Sequence, residues 1–311
     1  MFVKQALASL FLSAGVIGAL ETRADPTCPE VWNYIARELK DDFIDKDGYC
    51  TNYARQAIRL PFHDCFPGGG CDGSIILTEE CFAFAENDRL IPICGKLADL
   101  AFKYKVGAAD LINLAGAIGN RACRYGPYTP FYTGRKDNPK VPVRGQVPPP
   151  TLSAPTLIGV FAAKGFTSDE LVALVGAHSA GKNRTGVPFD TSVGSLDSWT
   201  YYSETRDLRA PATLPSDFFL SQYGQTRDSW NVYAASQEAW NRDYVNAWKK
   251  LITLENDVAQ LKDCTQVVFN TFPWGDDDDD YDDGDDYDDG DDYDDGDDYE
   301  DDDPCGAGKD C

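Results

Sequence analysis

The stretch Arg59-Leu-Pro-Phe-His63-Asp64-Cys65-Phe-Pro-Gly-Gly-Gly70-Cys71-Asp72-Gly-Ser74 holds one of only two histidines in a chain of 311 residues. Arg59 and His63 are four residues apart, so on a helix they share a face, one turn apart. Phe62 falls at the edge of that face. A fixed cation, a neutral imidazole and an aromatic ring then converge on one pocket. Directly after His63 come Asp64, Asp72 and Ser74, spaced among glycines. Carboxylate, hydroxyl and backbone carbonyl oxygens are the ligands of a hard cation such as calcium. Taken singly, an Arg-His pair on a helix also serves structure, and a Gly-rich Asp/Ser loop also serves as a turn. Their joint occurrence within these few residues is what is specific.

Outward from this stretch, Val31, Ile35, Leu39 and Phe43 recur at helical spacing before a turn at 46–48. A second helix from about Asn52 carries Arg59 and His63. Residues 107–124 read as an apolar helix whose small side chains permit close packing, and the proline-rich 138–150 reads by composition as a domain linker. The other histidine lies in Ser168-Asp-Glu-Leu-Val-Ala-Leu-Val-Gly-Ala-His178-Ser179-Ala-Gly181. Ser168 suits an N-cap, with acids in the first turn and Gly181 at the end. Leu171, Leu174, Val175 and His178 fall at i, i+3, i+4 and i+7, so His178 points inward, as a core residue or as a ligand. Beyond it, Pro188-Phe-Asp190-Thr-Ser192-Val-Gly-Ser195-Leu-Asp197 again alternates oxygen-bearing side chains suited to a hard cation. Residues 229–262 read as one or two amphipathic helices, with Trp230, Tyr233, Trp240, Tyr244, Trp248 and Leu251 as core.

The formal net charge of −24 is localised: 21 of the 52 acidic residues lie between Asp276 and Asp303, where Asp-Asp-Gly-Asp-Asp-Tyr repeats and no base occurs. The remainder is nearly neutral and shows no basic face, which argues against nucleic acid as a partner. Like charges at this density predict a disordered tail over 275–311. It reads as a solubilising appendage or as a binder of cations or basic surfaces; its tyrosines could also be cross-linked. Lys4 and the apolar run from Ala6 to Leu20 predict a signal peptide over 1–24, with a membrane anchor as runner-up. That run is short, and no other apolar stretch is long enough to span a bilayer, so the chain is expected to be secreted and extracellular. All ten cysteines follow the signal, and disulfides are the default there. Zinc would want paired Cys-x-x-Cys spacings, which are absent. Proximity pairs Cys81 with Cys94 and Cys305 with Cys311, and Asn183-Arg-Thr185 is a glycosylation sequon.

The 59–74 stretch resembles the distal-histidine signature of the plant-type haem peroxidase superfamily, in its secreted plant and fungal branches, closest to fungal class II. Residues 168–181 resemble the proximal motif of the same family, and the likeness runs over about 28–268. The resemblance implies a mainly α haem peroxidase fold over 25–274, with distal and proximal helical halves around haem b and with 138–150 running along the haem edge. It implies His178 as the axial ligand of the haem iron and Asp217, in Leu214-Pro-Ser-Asp217, as its partner. Arg59 and His63 would cleave hydrogen peroxide, Phe62 would pack near the haem, and Asn87 would accept a hydrogen bond from His63; on the residues alone Asn87 is equally a loop asparagine. A first calcium ion would sit on Asp64, Gly70, Asp72 and Ser74, and a second on Ser179, Asp190, Ser192, the carbonyl of Ser195, and Asp197. The pairings implied are Cys28 with Cys264, Cys50 with Cys123, and Cys65 with Cys71.

Family subtypes are separable by absence. Manganese-oxidising members carry carboxylates where this chain has Asn52, Gln56 and Arg184, and lignin-oxidising members carry a surface Trp where it has Ala173. This implies a generic peroxidase oxidising phenolic or other small aromatic donors, with Trp199 and Trp230 as remaining surface candidates. The alternative is a degenerate domain acting through its acidic tail as a cation-binding or adhesion protein. A binding module needs none of Arg59, His63, His178 and Asp217.

Overall fold

The first helix, α1 (Val31–Phe43), buries Ile35, Leu39 and Phe43 along the stripe that their spacing predicts. The computed structural model describes residues 28–68 and 70–273; the expected signal peptide, acidic tail and Cys305–Cys311 pairing lie outside the described residues. After α1 come α2 (Asn52–Cys65), the single turns α3 (Ser74–Leu77) and α4 (Glu80–Ala83), α5 (Ile91–Tyr104), α6 (Ala108–Ala122), strand β1 (Tyr132–Thr133) and α7 (Ala154–Ala163). Then follow α8 (Ser168–Val175), α9 (Ser198–Arg206), α10 (Pro215–Gln222), α11 (Arg227–Ala235), α12 (Gln237–Leu251), strand β2 (Lys262–Asp263) and α13 (Gln266–Thr271). The fold is mainly α, as expected. Its two-residue strands pair antiparallel, Tyr132 opposite Asp263.

Two small residues decide how closely α2 and α6 pack. A Cβ on Gly116 would lie 2.7 Å from Pro61 and 2.8 Å from Trp248, and one on Gly119 would lie 2.9 Å from the carbonyl of Ala54. Such separations admit hydrogen but not methyl, so these glycines bring the α2 backbone against the core helix. The first amides of α6, at Ala108 and Ala109, donate to the two oxygens of Asp137, each at 2.9 Å. A carboxylate there satisfies orphan donors and complements the helix dipole. On the other side, α12 stacks Trp240, Tyr244 and Trp248 along one buried face, with Tyr244 Oη donating to Asn120 of α6 (2.9 Å) and Trp240 Nε1 to the carbonyl of Ala173 in α8 (2.9 Å).

Four disulfides close the described residues: Cys28–Cys264, Cys50–Cys123, Cys65–Cys71 and Cys81–Cys94. The first spans 236 residues and ties the start of the described chain to the segment before α13.

Three local points are decided by the structure, the first of them a correction. Ser168 is the first helical residue of α8, and its N-cap is Thr167, whose Oγ1 accepts from Glu170 N while Glu170 accepts from Thr167 N. This capping box outcompetes Ser168 because it satisfies two amides reciprocally. Residues 138–150 do not behave as a linker between independent bodies. Asn138 binds Asp72 through backbone and side chain, Gly145 N donates to Glu86, and Pro150 accepts from Ser216 N, so the segment is pinned along its length. Trp230 is fully buried, its Nε1 donating to the carbonyl of Tyr202 (2.8 Å), so it is no surface site; Trp199 is exposed and packs on Tyr125.

Candidate active site

Helix α2 presents Arg59 and His63 toward the 3-10 turn Ala85–Asn87, and Phe62 toward Phe161 of α7. Arg59 Nε donates to His63 Nε2 at 2.8 Å, and His63 Nδ1 lies 2.7 Å from Asn87 Oδ1. The Asn87 amide is oriented by its own Nδ2, which donates to the carbonyl of Glu80 (3.3 Å). Because Arg59 can only donate, Nε2 must accept, and the proton of a neutral imidazole must sit on Nδ1 facing Asn87. Burial, then the Arg59 charge, pushes the His63 pKa well below the ordinary value, with Asn87 acting in the opposite direction. Burial brings Arg59 down to about 10, which leaves it charged at neutral pH. Arg59 is accessible by surface area yet deeply surrounded by protein atoms. Phe62 stacks on Phe66 (4.7 Å) and Phe161 (6.0 Å) and closes one side.

The second histidine stands on the 3-10 turn Gly176–Ala180 that continues α8. His178 Nδ1 lies 2.7 Å from Asp217 Oδ2, in the first turn of α10, and its side chain is 40% exposed while Asp217 is buried. Asp217 Oδ1 accepts from Ser216 Oγ (3.0 Å), and Oδ2 also accepts from Tyr201 Oη (2.5 Å). An axial ligand for haem iron needs an uncommitted imidazole lone pair. His63 has both ring nitrogens engaged, whereas His178 commits only Nδ1, so the donor set fits haem at His178 Nε2.

The candidate cation ligands gather in two places. In the loop after α2, Asp64 Oδ2 accepts from Gly73 N (3.1 Å), Asp72 Oδ1 from Ser74 N (3.1 Å), and Ser74 Oγ donates to Glu80 Oε2 (3.3 Å). Burial pushes Asp64 up to about 8 and Glu80 up to about 7. Gly70 takes a left-handed backbone, φ 78°, where a Cβ would fall 2.5 Å from the carbonyl of Leu254. Below the second histidine, Ser179 Oγ donates to Asp190 Oδ2 (2.7 Å) and lies 3.2 Å from the carbonyl of Asp197 and 3.5 Å from that of Ser195. Burial raises Asp190 to about 7 and lifts Asp197 as well. The buried Ser192 hydroxyl, near enough to Asp197 to lower its pKa, reaches no partner in good hydrogen-bond geometry. Among the described residues no three His, Cys, Asp or Glu side chains by themselves form a metal cluster. Buried carboxylates held with hydroxyls and carbonyls fit a hard oxygen-seeking cation and not zinc.

The side chains singled out as catalytic, haem-binding or cation-binding thus fall into two groups: Arg59, Phe62, His63 and Asn87 with the loop 64–74, and His178 and Asp217 with the segment 179–197. Two participants were missed there. Glu80 stands beside Ser74, and Tyr201 reaches Asp217 from α9. Neither carries a local signal, since each meets its partner only through the fold.

A family model described as peroxidase matches residues 35–236. The chain is 27% identical to manganese peroxidase 3 of Phlebia radiata over 316 residues, covering 86% of each chain. It is 27% identical to a peroxidase of Arthromyces ramosus, over 86% of this chain and 87% of that one. A putative L-ascorbate peroxidase 6 of Arabidopsis thaliana is 34% identical over 211 residues, 64% of this chain and 63% of the relative. With an imidazole free for haem iron in one group and an Arg-His pair in the other, and with this match over most of its length, the chain belongs to the peroxidase family, as a hydrogen-peroxide-using enzyme of the plant-type haem superfamily.

Proposed function

We propose that the chain is a secreted haem peroxidase that oxidises phenolic or other small aromatic donors in one-electron steps at the edge of haem b. The observation that carries this is the contact geometry around His63, which places the proton of the neutral ring on Nδ1. Its Nε2 is the unprotonated nitrogen, held by the Arg59 N–H until peroxide takes that place, and its Nδ1 proton is committed to Asn87. The haem, ligated by His178 Nε2, would supply the redox centre. His63 Nε2 takes a proton from hydrogen peroxide and returns it to the departing oxygen, as base and then acid. Arg59 stabilises the negative charge that develops as the O–O bond breaks. Asp217 accepts the His178 Nδ1 proton, orients the ring and makes it a stronger ligand. Phe62 keeps the peroxide side apolar and limits access.

The donor class is supported by what occupies the manganese positions. Asn52 accepts from Arg55, Gln56 accepts from Ile93 N, and Arg184 pairs with Asp88 at 3.1 Å, so none of the three side chains at these positions offers a carboxylate, and the third brings a cation. Ala173 is buried. Two calcium ions, on Asp64, Gly70, Asp72 and Ser74 and on Ser179, Asp190, Ser192, Ser195 and Asp197, would hold the distal and proximal segments in place. Secretion through a 1–24 signal, a catalytic domain over 25–274, glycosylation at Asn183 and a cation- or surface-binding role for the 275–311 tail belong to the same proposal. No helix among the described residues is long and apolar enough to cross a membrane.

The test is His63→Leu in haem-loaded protein. It retains the Soret band and loses about 10²–10⁴-fold in its rate with hydrogen peroxide, the usual worth of a positioned acid–base group. Turnover near the parental rate would refute the assignment, and a parent that stays colourless with hemin would refute the haem reading itself.

A further inference from the structure

Asp217 Oδ2 is asked to accept twice: from His178 Nδ1 at 2.7 Å and from Tyr201 Oη at 2.5 Å. Its other oxygen accepts from Ser216 Oγ at 3.0 Å. We propose that Tyr201 is a positioning residue of the proximal site, whose phenol competes with His178 for one carboxylate oxygen and thereby sets the reduction potential of a haem iron held at Nε2. This rests on His178 being the haem ligand, as argued above.

The physical argument starts from what a shared acceptor does. A hydrogen bond from a phenol to a carboxylate is among the strong, short kind. Each donor draws on the same oxygen lone pairs, so a second strong donor weakens the pull of Asp217 on the Nδ1 proton. An imidazole that keeps more of its proton is a poorer electron donor through Nε2, and the ferrous state is then less disfavoured. The geometry leaves Tyr201 little alternative. It is fully buried, its ring packs against Tyr202 (5.2 Å) and Trp230 (6.1 Å), and it crosses the His178 ring edge-on at 6.3 Å. Its hydroxyl lies 3.5 Å from His178 Nδ1, so the three groups form one closed set. Phenylalanine would fill nearly the same space without the donor. The site therefore carries a strong hydrogen bond that packing alone does not require.

The experiment is a spectroelectrochemical titration of haem-loaded parent, Tyr201→Phe and Ser216→Ala, with resonance Raman of the iron–histidine stretch in the ferrous proteins. Tyr201→Phe is expected to raise the ferric-to-ferrous ratio at fixed potential about tenfold, a midpoint about 59 mV more negative for a one-electron couple, and to move the stretch to higher frequency. Ser216→Ala, which removes a donor from the other oxygen, shifts both the same way by less. A Tyr201→Phe protein that binds haem with parental potential and stretch would overturn the proposal. Should that variant not fold, an unshifted Ser216→Ala would overturn it instead. A parent that takes up no haem would sink the functional reading and this inference together, whereas a coloured parent with unmoved variants sinks this one alone.

Discussion

His63 and His178 are the same side chain put to opposite uses by what their ring nitrogens meet. Around His63 both nitrogens are engaged, one by a cation and one by an amide oxygen, and burial keeps the ring neutral. Around His178 one nitrogen is anchored to a carboxylate and the other is left for a ligand. Asn87 completes the first arrangement, because its oxygen holds the Nδ1 proton while Arg59 occupies the Nε2 lone pair. Asn87→Leu should therefore lower the rate with hydrogen peroxide by about 10–100-fold, as loss of an outer-shell orienting partner typically does, while leaving the Soret band in place. Stopped-flow mixing with peroxide measures it, and an unchanged rate would show that Arg59 suffices to hold the tautomer.

At the scale of elements, the site depends on how close α2 comes to α6. Gly116 is in α6 because a methyl there would press on Pro61 and Trp248, so Gly116→Ala should destabilise the fold by about 1–3 kcal/mol through overpacking. Gly95 in α5 is the control: a Cβ there meets nothing within 4 Å, and Gly95→Ala should be neutral or stabilising by up to about 1 kcal/mol. Urea unfolding of the two variants gives the comparison; equal effects would mean that the α2–α6 contact is slack. The turn after α8 matters as much. The α-helix gives way to a 3-10 turn at Gly176, and this re-aims His178 toward Asp217 instead of continuing the α8 stripe.

At the scale of the molecule, four disulfides and two oxygen-lined loops hold the described residues together. If both loops bind calcium, chelation should lower the melting temperature by about 5 °C or more, since a site saturated a hundredfold contributes about 2.7 kcal/mol. Added calcium should restore it and magnesium should not, because magnesium demands a tighter octahedron and keeps its waters. Scanning calorimetry in chelator checks this, and an unmoved transition would leave Asp64 and Asp190 as buried acids without a cation. By itself the sequence determined what depends on local spacing: the helix carrying Arg59 and His63, the inward stripe of α8 that leads up to His178, the acidic and hydroxyl-bearing loops, and, through family resemblance, the pairing of cysteines far apart in the chain. Tertiary structure alone decided what depends on distant segments meeting. It put Glu80 beside Ser74, settled Trp230 in the core and not at the surface, chose for Asn87 a place as partner of His63 over that of a loop asparagine, and brought Tyr201 from α9 onto the oxygen that His178 already holds. Periodicity reports which face of a helix turns inward; it carries no information about which side chain from another helix will be waiting there.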